Sequence, residues 1–173
     1  MREGLLLAVG TLTRWPVPPP AGVDAATARA AMLLAPWVGA ALGALAGALA
    51  WLGLRVGLSA TLVAALVVAA LAYATRGLHL DGLADTADGL GSGGGAERAL
   101  EVMRRGDVGP FGVSTLVLVL AIQVAALAQV LTTWGPAPAV AAVAAARLVL
   151  PVLCRRGVAA ARPNGLGAAV SGT

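Results

Sequence analysis

The sequence predicts an all-α fold: a polytopic integral membrane helix bundle of about four spans, preceded by a short N-terminal re-entrant or interfacial segment. Three observations carry this. Of 173 residues, 59% are hydrophobic and 12% charged, about half the charge of an average globular domain, and mean hydropathy is +0.88. Four apolar stretches are each long enough to cross a bilayer. The arginines gather on alternate connections between them. With 12 basic and 8 acidic side chains, the chain cannot coat a soluble domain of this size. Disorder and a disulfide scaffold are excluded on the same composition.

The elements follow in order along a single membrane domain, 1–173. Residues 4–12 are apolar but too short to span. Met1-Arg2 ahead of them has the charge of a secretory leader, but Arg14-Trp15-Pro16 and the prolines 18–20 that follow do not make a cleavage region, so a re-entrant or interfacial segment is expected. The spans are expected at about 30–54, 59–75, 113–131 and 137–154; at 1.5 Å per residue they reach about 26–37 Å, enough for the hydrocarbon core. Gly39, Gly43 and Gly47 give the first span a small-residue face. Such a face suits close helix packing, within the chain or between copies, which leaves a homo-oligomer open. Pro151 is expected to kink the fourth span. Arg147 lies well inside that span, where a charge normally faces the bundle interior, and Gln123 in the third span is a weaker candidate for the same interior. The lone Cys154 excludes a disulfide within the chain and reads as helix packing.

Arg2, Arg14 and Arg29 precede the first span. Arg76, Arg98, Arg104 and Arg105 lie in the loop at about 76–112, and Arg155, Arg156 and Arg162 follow the fourth span. The two remaining connections carry only Arg55. The positive-inside rule therefore puts the N-terminus, the long loop and the C-terminus in the cytoplasm. The net charge of +4 does not point to nucleic acid: the arginines are scattered and aromatics are 3%.

Six of the eight acidic residues, Asp81, Asp85, Asp88, Glu97, Glu101 and Asp107, fall inside the long loop. On a helix, Asp81, Asp85 and Asp88 share an arc of about 60°, with Leu80, Leu83, Ala87 and Leu90 on the other side to pack on the bundle. Three such carboxylates repel one another unless a cation neutralises them, and an all-oxygen set favours Mg²⁺ or Mn²⁺ over Zn²⁺. Mg²⁺ in turn usually brings a phosphate. His79 falls about 160° away and reads as a local hydrogen-bond donor. Gly91 to Gly95 read as a hinge or a phosphate approach. The helix expected at 96–105 pairs Glu101 with Arg104 and Arg105, which either clamp phosphates or mark the cytoplasmic side.

Gly77-Leu-His-Leu-Asp-Gly-Leu-Ala-Asp-Thr-Ala-Asp-Gly89 closely resembles the signature of the cobalamin synthase family, the adenosylcobinamide-GDP ribazoletransferases. Leu12-Thr-Arg-Trp-Pro-Val-Pro18, Pro36-Trp-Val-Gly39 and Ala161-Arg-Pro-Asn-Gly-Leu-Gly167 resemble further family motifs in the family's order. The resemblance implies a Mg²⁺-dependent multi-pass enzyme of the cell membrane. In its reaction a hydroxyl of α-ribazole, or of α-ribazole 5′-phosphate, attacks the cobinamide-side phosphate of adenosylcobinamide-GDP, and GMP leaves. It also implies Asp81 and Asp85 as metal ligands and Asp88 as ligand or general base. Arg104, Arg105, Arg147 and Asp107 are the expected substrate contacts. The sequence departs from the family in two places. Where the family has Met-Arg-Asp-x-Arg-x-Gly, this chain reads Met103-Arg-Arg-Gly-Asp-Val-Gly109, with acid and base exchanged. Family members also run on with further apolar segments past Thr173, so a truncated frame or a short form is expected. The rival readings are a CDP-alcohol phosphotransferase, whose Asp-Gly-x-x-Ala pattern this chain leaves at Asp85, a membrane prenyltransferase, and a cation-binding transporter. A transporter would carry its acids near mid-membrane rather than beyond the end of a span.

Overall fold

The computed structural model describes residues 1–163 and 165–172, so Asn164 of the Ala161–Gly167 motif lies outside the described residues. Nine helices and no strand lie among them: α1 (Arg2–Leu12), α2 (Ala25–Arg55), α3 (Ala60–Ala74), α4 (Leu78–Gly91), α5 (Ala96–Val102), α6 (Pro110–Trp134), α7 (Ala137–Ala146), α8 (Val149–Leu153) and α9 (Leu166–Val170). The chain is an all-helical membrane protein, as expected. Two helices, α2 and α6, are long and apolar enough to cross a bilayer unaided. The other two apolar stretches are helical but shorter: α3 covers the second in 15 residues and then turns by 91° into α4, and the fourth breaks between α7 and α8.

Local chemistry sets these boundaries. The Asp24 side chain accepts from the Thr27 N–H at 2.7 Å and the Ser59 hydroxyl from the Leu62 N–H at 3.3 Å, capping α2 and α3. Pro110 opens α6, where its missing N–H is no loss. Pro151 breaks the fourth stretch four residues upstream, because its ring excludes the Arg147 carbonyl from an α-helical bond. That carbonyl instead accepts a short-range bond from the Leu150 N–H at 3.3 Å. Arg147 thus sits at the C-terminal end of α7.

The interior is built from small side chains, as close helix packing in lipid requires. One cluster joins α1 and α2 through Ala8, Leu12, Ala31, Ala35, Val38 and Leu42, with Cys154 packed at its edge. A second joins α2, α3 and α6 through Ala46, Ala50, Val63, Ala64, Val67 and Leu131. The Gly39–Gly43–Gly47 face is used within the chain, against α7. A Cβ on Gly43 would stand 2.6 Å from the Val140 carbonyl oxygen, and one on Gly39 would stand 2.6 Å from Cγ of Arg147. By contrast α6 buries only Gly112 and Leu131 and presents Val113, Val117, Leu118 and Ile122 outward, a surface suited to lipid.

The bend between α3 and α4 positions the site. Arg76 and Gly77 both adopt positive φ, 55° and 68°, and together redirect the chain. The N-terminal segment secures the turn from outside. Arg76 donates through Nη2 to the Gly10 and Thr11 carbonyls at the C-terminal end of α1, where a cation also meets the negative end of the helix dipole. The Arg14 N–H donates to the Ala74 carbonyl at 2.8 Å, and its guanidinium lies 3.5 Å from the centre of the Tyr73 ring.

Candidate active site

Helix α4 forms over the span that the wheel requires, but its packing face differs from expectation. Ala84, Asp88 and Gly89 are its buried residues, and Leu90 is 75% exposed. Asp88 therefore turns toward α6 rather than outward. Its Oδ2 accepts from the Gly109 N–H at 2.7 Å and its Oδ1 from the Gly112 N–H at 2.9 Å. These are two of the donors that a helix N-terminus leaves open, so Asp88 caps α6 from another element. Glycine is needed at both partners. A Cβ on Gly109 would lie 2.5 Å from Asp88 Oδ1, and one on Gly112 would fall inside contact distance of Oδ2. The leucine face expected to seat α4 does so only in part: Leu80 lines an internal cavity, and Leu90 is in the open.

Asp81 is exposed and Asp85 half-exposed. Burial first, then the charges of Asp81 and Asp88, raise the Asp85 carboxyl above its ordinary value, and Arg162 pulls it part-way back. Among the described residues no three His, Cys, Asp or Glu side chains gather closely enough to hold a metal by themselves. Each Asp88 oxygen already accepts a backbone N–H, while Asp81 and Asp85 stand outside that contact. A pair still fits Mg²⁺, which keeps several waters and commonly takes one or two carboxylates together with substrate phosphates.

The basic residues divide. Arg105 is tied to Glu101 at 3.2 Å, and so is Arg98, at 2.8 Å, in the place expected for Arg104. Arg104 instead lines an open cleft of about 580 Å³ with Arg98, Glu97, Glu101 and Arg162. Asp107 is exposed and has no ion-pair partner among the described residues, so the exchanged Arg105 and Asp107 do not bond to each other. Arg162 was not among the residues expected from sequence. Its membership of the Ala161–Gly167 motif was the signal that could have found it. Arg147, Gln123 and His79 line one half-open cavity beneath the α3–α4 bend; Arg147 is half-buried, whereas Gln123, expected in the interior, is exposed. His79 Nδ1 lies 3.1 Å from the Thr75 hydroxyl, the local bond expected of it.

A sequence profile of the cobalamin-5-phosphate synthase family matches residues 4–173. The chain belongs to this family. Its relatives include an adenosylcobinamide-GDP ribazoletransferase of Nocardioides sp., 47% identical over 173 residues, covering 100% of this chain and 75% of the relative. A protein of the same name in Frankia casuarinae is 43% identical over 171 residues, covering 94% of this chain and 62% of the relative. Another, in Bradyrhizobium diazoefficiens, is 46% identical over 101 residues, 58% of this chain and 38% of the relative. The chain thus spans less than two thirds of the length of most of the relatives named here. No solved structure matches it. Membership of the cobalamin-5-phosphate synthase family covers both the Asp helix and the segment carrying Arg162, which the fold brings within electrostatic reach of each other.

Proposed function

We propose that the chain transfers α-ribazole, or its 5′-phosphate, onto adenosylcobinamide-GDP with release of GMP, a late step of cobalamin biosynthesis. The carrying observation is the family match over residues 4–173, laid on a helix that leaves Asp81 and Asp85 out of its packing face. Asp81 and Asp85 would hold Mg²⁺, which neutralises pyrophosphate charge when bound. Arg104 and Arg162, facing one cleft, bind and orient the pyrophosphate of the donor. The acceptor hydroxyl forms the new P–O bond to the cobinamide-side phosphorus, and the bond to the bridging oxygen breaks in line. Asp88 keeps α4 seated on α6, so that the two outward carboxylates stay at a fixed distance from the cleft. Arg105, tied to Glu101, supports this loop rather than touching substrate. The protein lies in the cell membrane, with the loop at 76–112 on the cytoplasmic side where both substrates are dissolved. Cysteine labelling at Ser92 and Gly135 should report opposite faces, and labelling from one face overturns that orientation.

The reaction is tested with purified protein in nanodiscs, adenosylcobinamide-GDP, α-ribazole and Mg²⁺. GMP and a cobalamin should appear together and require the metal. Asp81→Asn and Asp85→Asn should each lower turnover and raise the Mg²⁺ concentration needed, while the protein stays folded. Absence of GMP, or Asn variants with an unchanged Mg²⁺ requirement, rejects the assignment.

A further inference from the structure

The cavity beneath the α3–α4 bend has a volume of about 330 Å³. Its walls are apolar side chains of α2, α3, α6 and α7, among them Leu71, Leu120, Leu127 and Ala142. Four polar residues line it: Arg147, Gln123, His79 and Thr75. The Arg147 stem is packed on Gly39, where no Cβ would fit. Among the described residues its guanidinium has no carboxylate partner and Gln123 has no hydrogen-bond partner, while His79 uses only Nδ1, on Thr75. An unpartnered guanidinium inside an apolar bundle is expensive unless something anionic or polar meets it. Among the described residues no buried side-chain polar atom lacks a partner; Gln123 and His79 are exposed and Arg147 is half-buried, so these groups meet the surface where the cavity opens.

We propose that this cavity seats the acceptor nucleoside of the transfer, an inference that rests on the ribazole-transfer reading above. A ligand matching these walls has a flat apolar body and a polar or anionic end. A benzimidazole riboside has that form: the base fills the leucine- and alanine-lined depth, and the ribose or its 5′-phosphate meets Arg147, Gln123 and His79. The volume lies at the low end for ligand pockets, too small for a corrinoid, so the donor is excluded from it. His79 and Leu80, which line the cavity, immediately precede Asp81 on α4. The cavity and the Arg104–Arg162 cleft share no lining residue, so acceptor and donor would enter separately.

Two variants that narrow the cavity from opposite walls, Ala142→Phe on α7 and Ala72→Leu on α3, test this in nanodiscs, with folding checked by thermal melting. Each should raise the KM for α-ribazole about tenfold or more, the usual effect of a misfit in an apolar pocket, with the KM for adenosylcobinamide-GDP unchanged. Arg147→Ala should weaken α-ribazole 5′-phosphate more than α-ribazole. Unchanged KM values in the folded narrowing variants, the result expected if lipid tails fill the cavity, overturn the proposal, as does a rise in the donor's KM alone. Equilibrium binding of α-ribazole, followed by its own fluorescence without donor, separates the two readings. If the wild type binds α-ribazole and Ala142→Phe does not, yet no GMP forms, the seat stands and the reaction falls. No binding by the wild type overturns the seat.

Discussion

Replacing Asp88 by Asn should loosen the start of α6 more than it alters metal binding. The side chain is 7% exposed and accepts two charge-assisted bonds, at 2.7 and 2.9 Å, from Gly109 and Gly112. An asparagine of the same shape has one oxygen, so it keeps one acceptor and turns an NH₂ toward the other N–H. Loss of one charge-assisted bond in a buried setting costs about 1.5–3 kcal/mol. Removing the negative charge from the helix N-terminus costs about 0.3–1 kcal/mol more. The sum, about 2–4 kcal/mol, corresponds to roughly 30- to 900-fold faster local opening. Hydrogen exchange of a peptide spanning 106–116 in nanodiscs reads this directly, against a peptide from mid-α2 that should not change. If Asp88 were a metal ligand, exchange at 106–116 would stay slow and the Mg²⁺ requirement would rise instead. That outcome would refute the anchor.

Asp85 has its carboxyl pushed above its ordinary value by burial and by Asp81 and Asp88. Ionising it therefore opposes folding, so metal-free protein should melt lower as pH rises from the ordinary carboxylate range through the raised value. Mg²⁺ should cancel that slope and bind more weakly below it, and Asp85→Asn should abolish the slope; a wild-type slope equal to the variant's contradicts this. Gly43→Leu should cost about 1–3 kcal/mol by overpacking α2 against α7, measured as melting in nanodiscs, whereas Gly82→Ala, with nothing near its Cβ, should lose none. Arg162→Ala should raise the KM for adenosylcobinamide-GDP more than Arg105→Ala does, because Arg105 is held by Glu101 while Arg162 faces the cleft. Equal effects would remove Arg162 from the donor site.

Much of this was legible in the sequence because it depends on local rules. Helical period alone fixes where Asp81, Asp85 and Asp88 stand on α4, Pro151 alone breaks the fourth stretch, and the isolation of Arg147 among apolar residues points it inward. The job of Asp88 was not legible. A wheel groups side chains by angle but does not say what approaches each angle, and the approaching group here is backbone, 21 and 24 residues downstream. Gly109 and Gly112 carry no side chain to advertise the contact. The family signature points to Arg105 and Asp107 in the same segment, though neither bonds to Asp88. Arg162 was missed because its link to Asp85 is made only when the C-terminal segment folds back.

Among the described residues the largest fully buried side chains are two valines, Val63 and Val67. A core of this kind inverts the usual mutational landscape. In a leucine- and phenylalanine-filled interior the common injury is truncation, at about 2–5 kcal/mol for each large side chain removed. Here, beyond Leu12, Met32, Leu42, Leu131 and a few valines, little is left to truncate, and most inner positions are vulnerable to enlargement instead. Alanine scanning would pass over most of the α2–α7 seam in silence, since many of its residues are already alanine or glycine. A valine or leucine scan would trace that seam residue by residue, while the outward face of α6 would accept either. Drift in such a protein is therefore confined on its inner faces to exchanges among the smallest side chains.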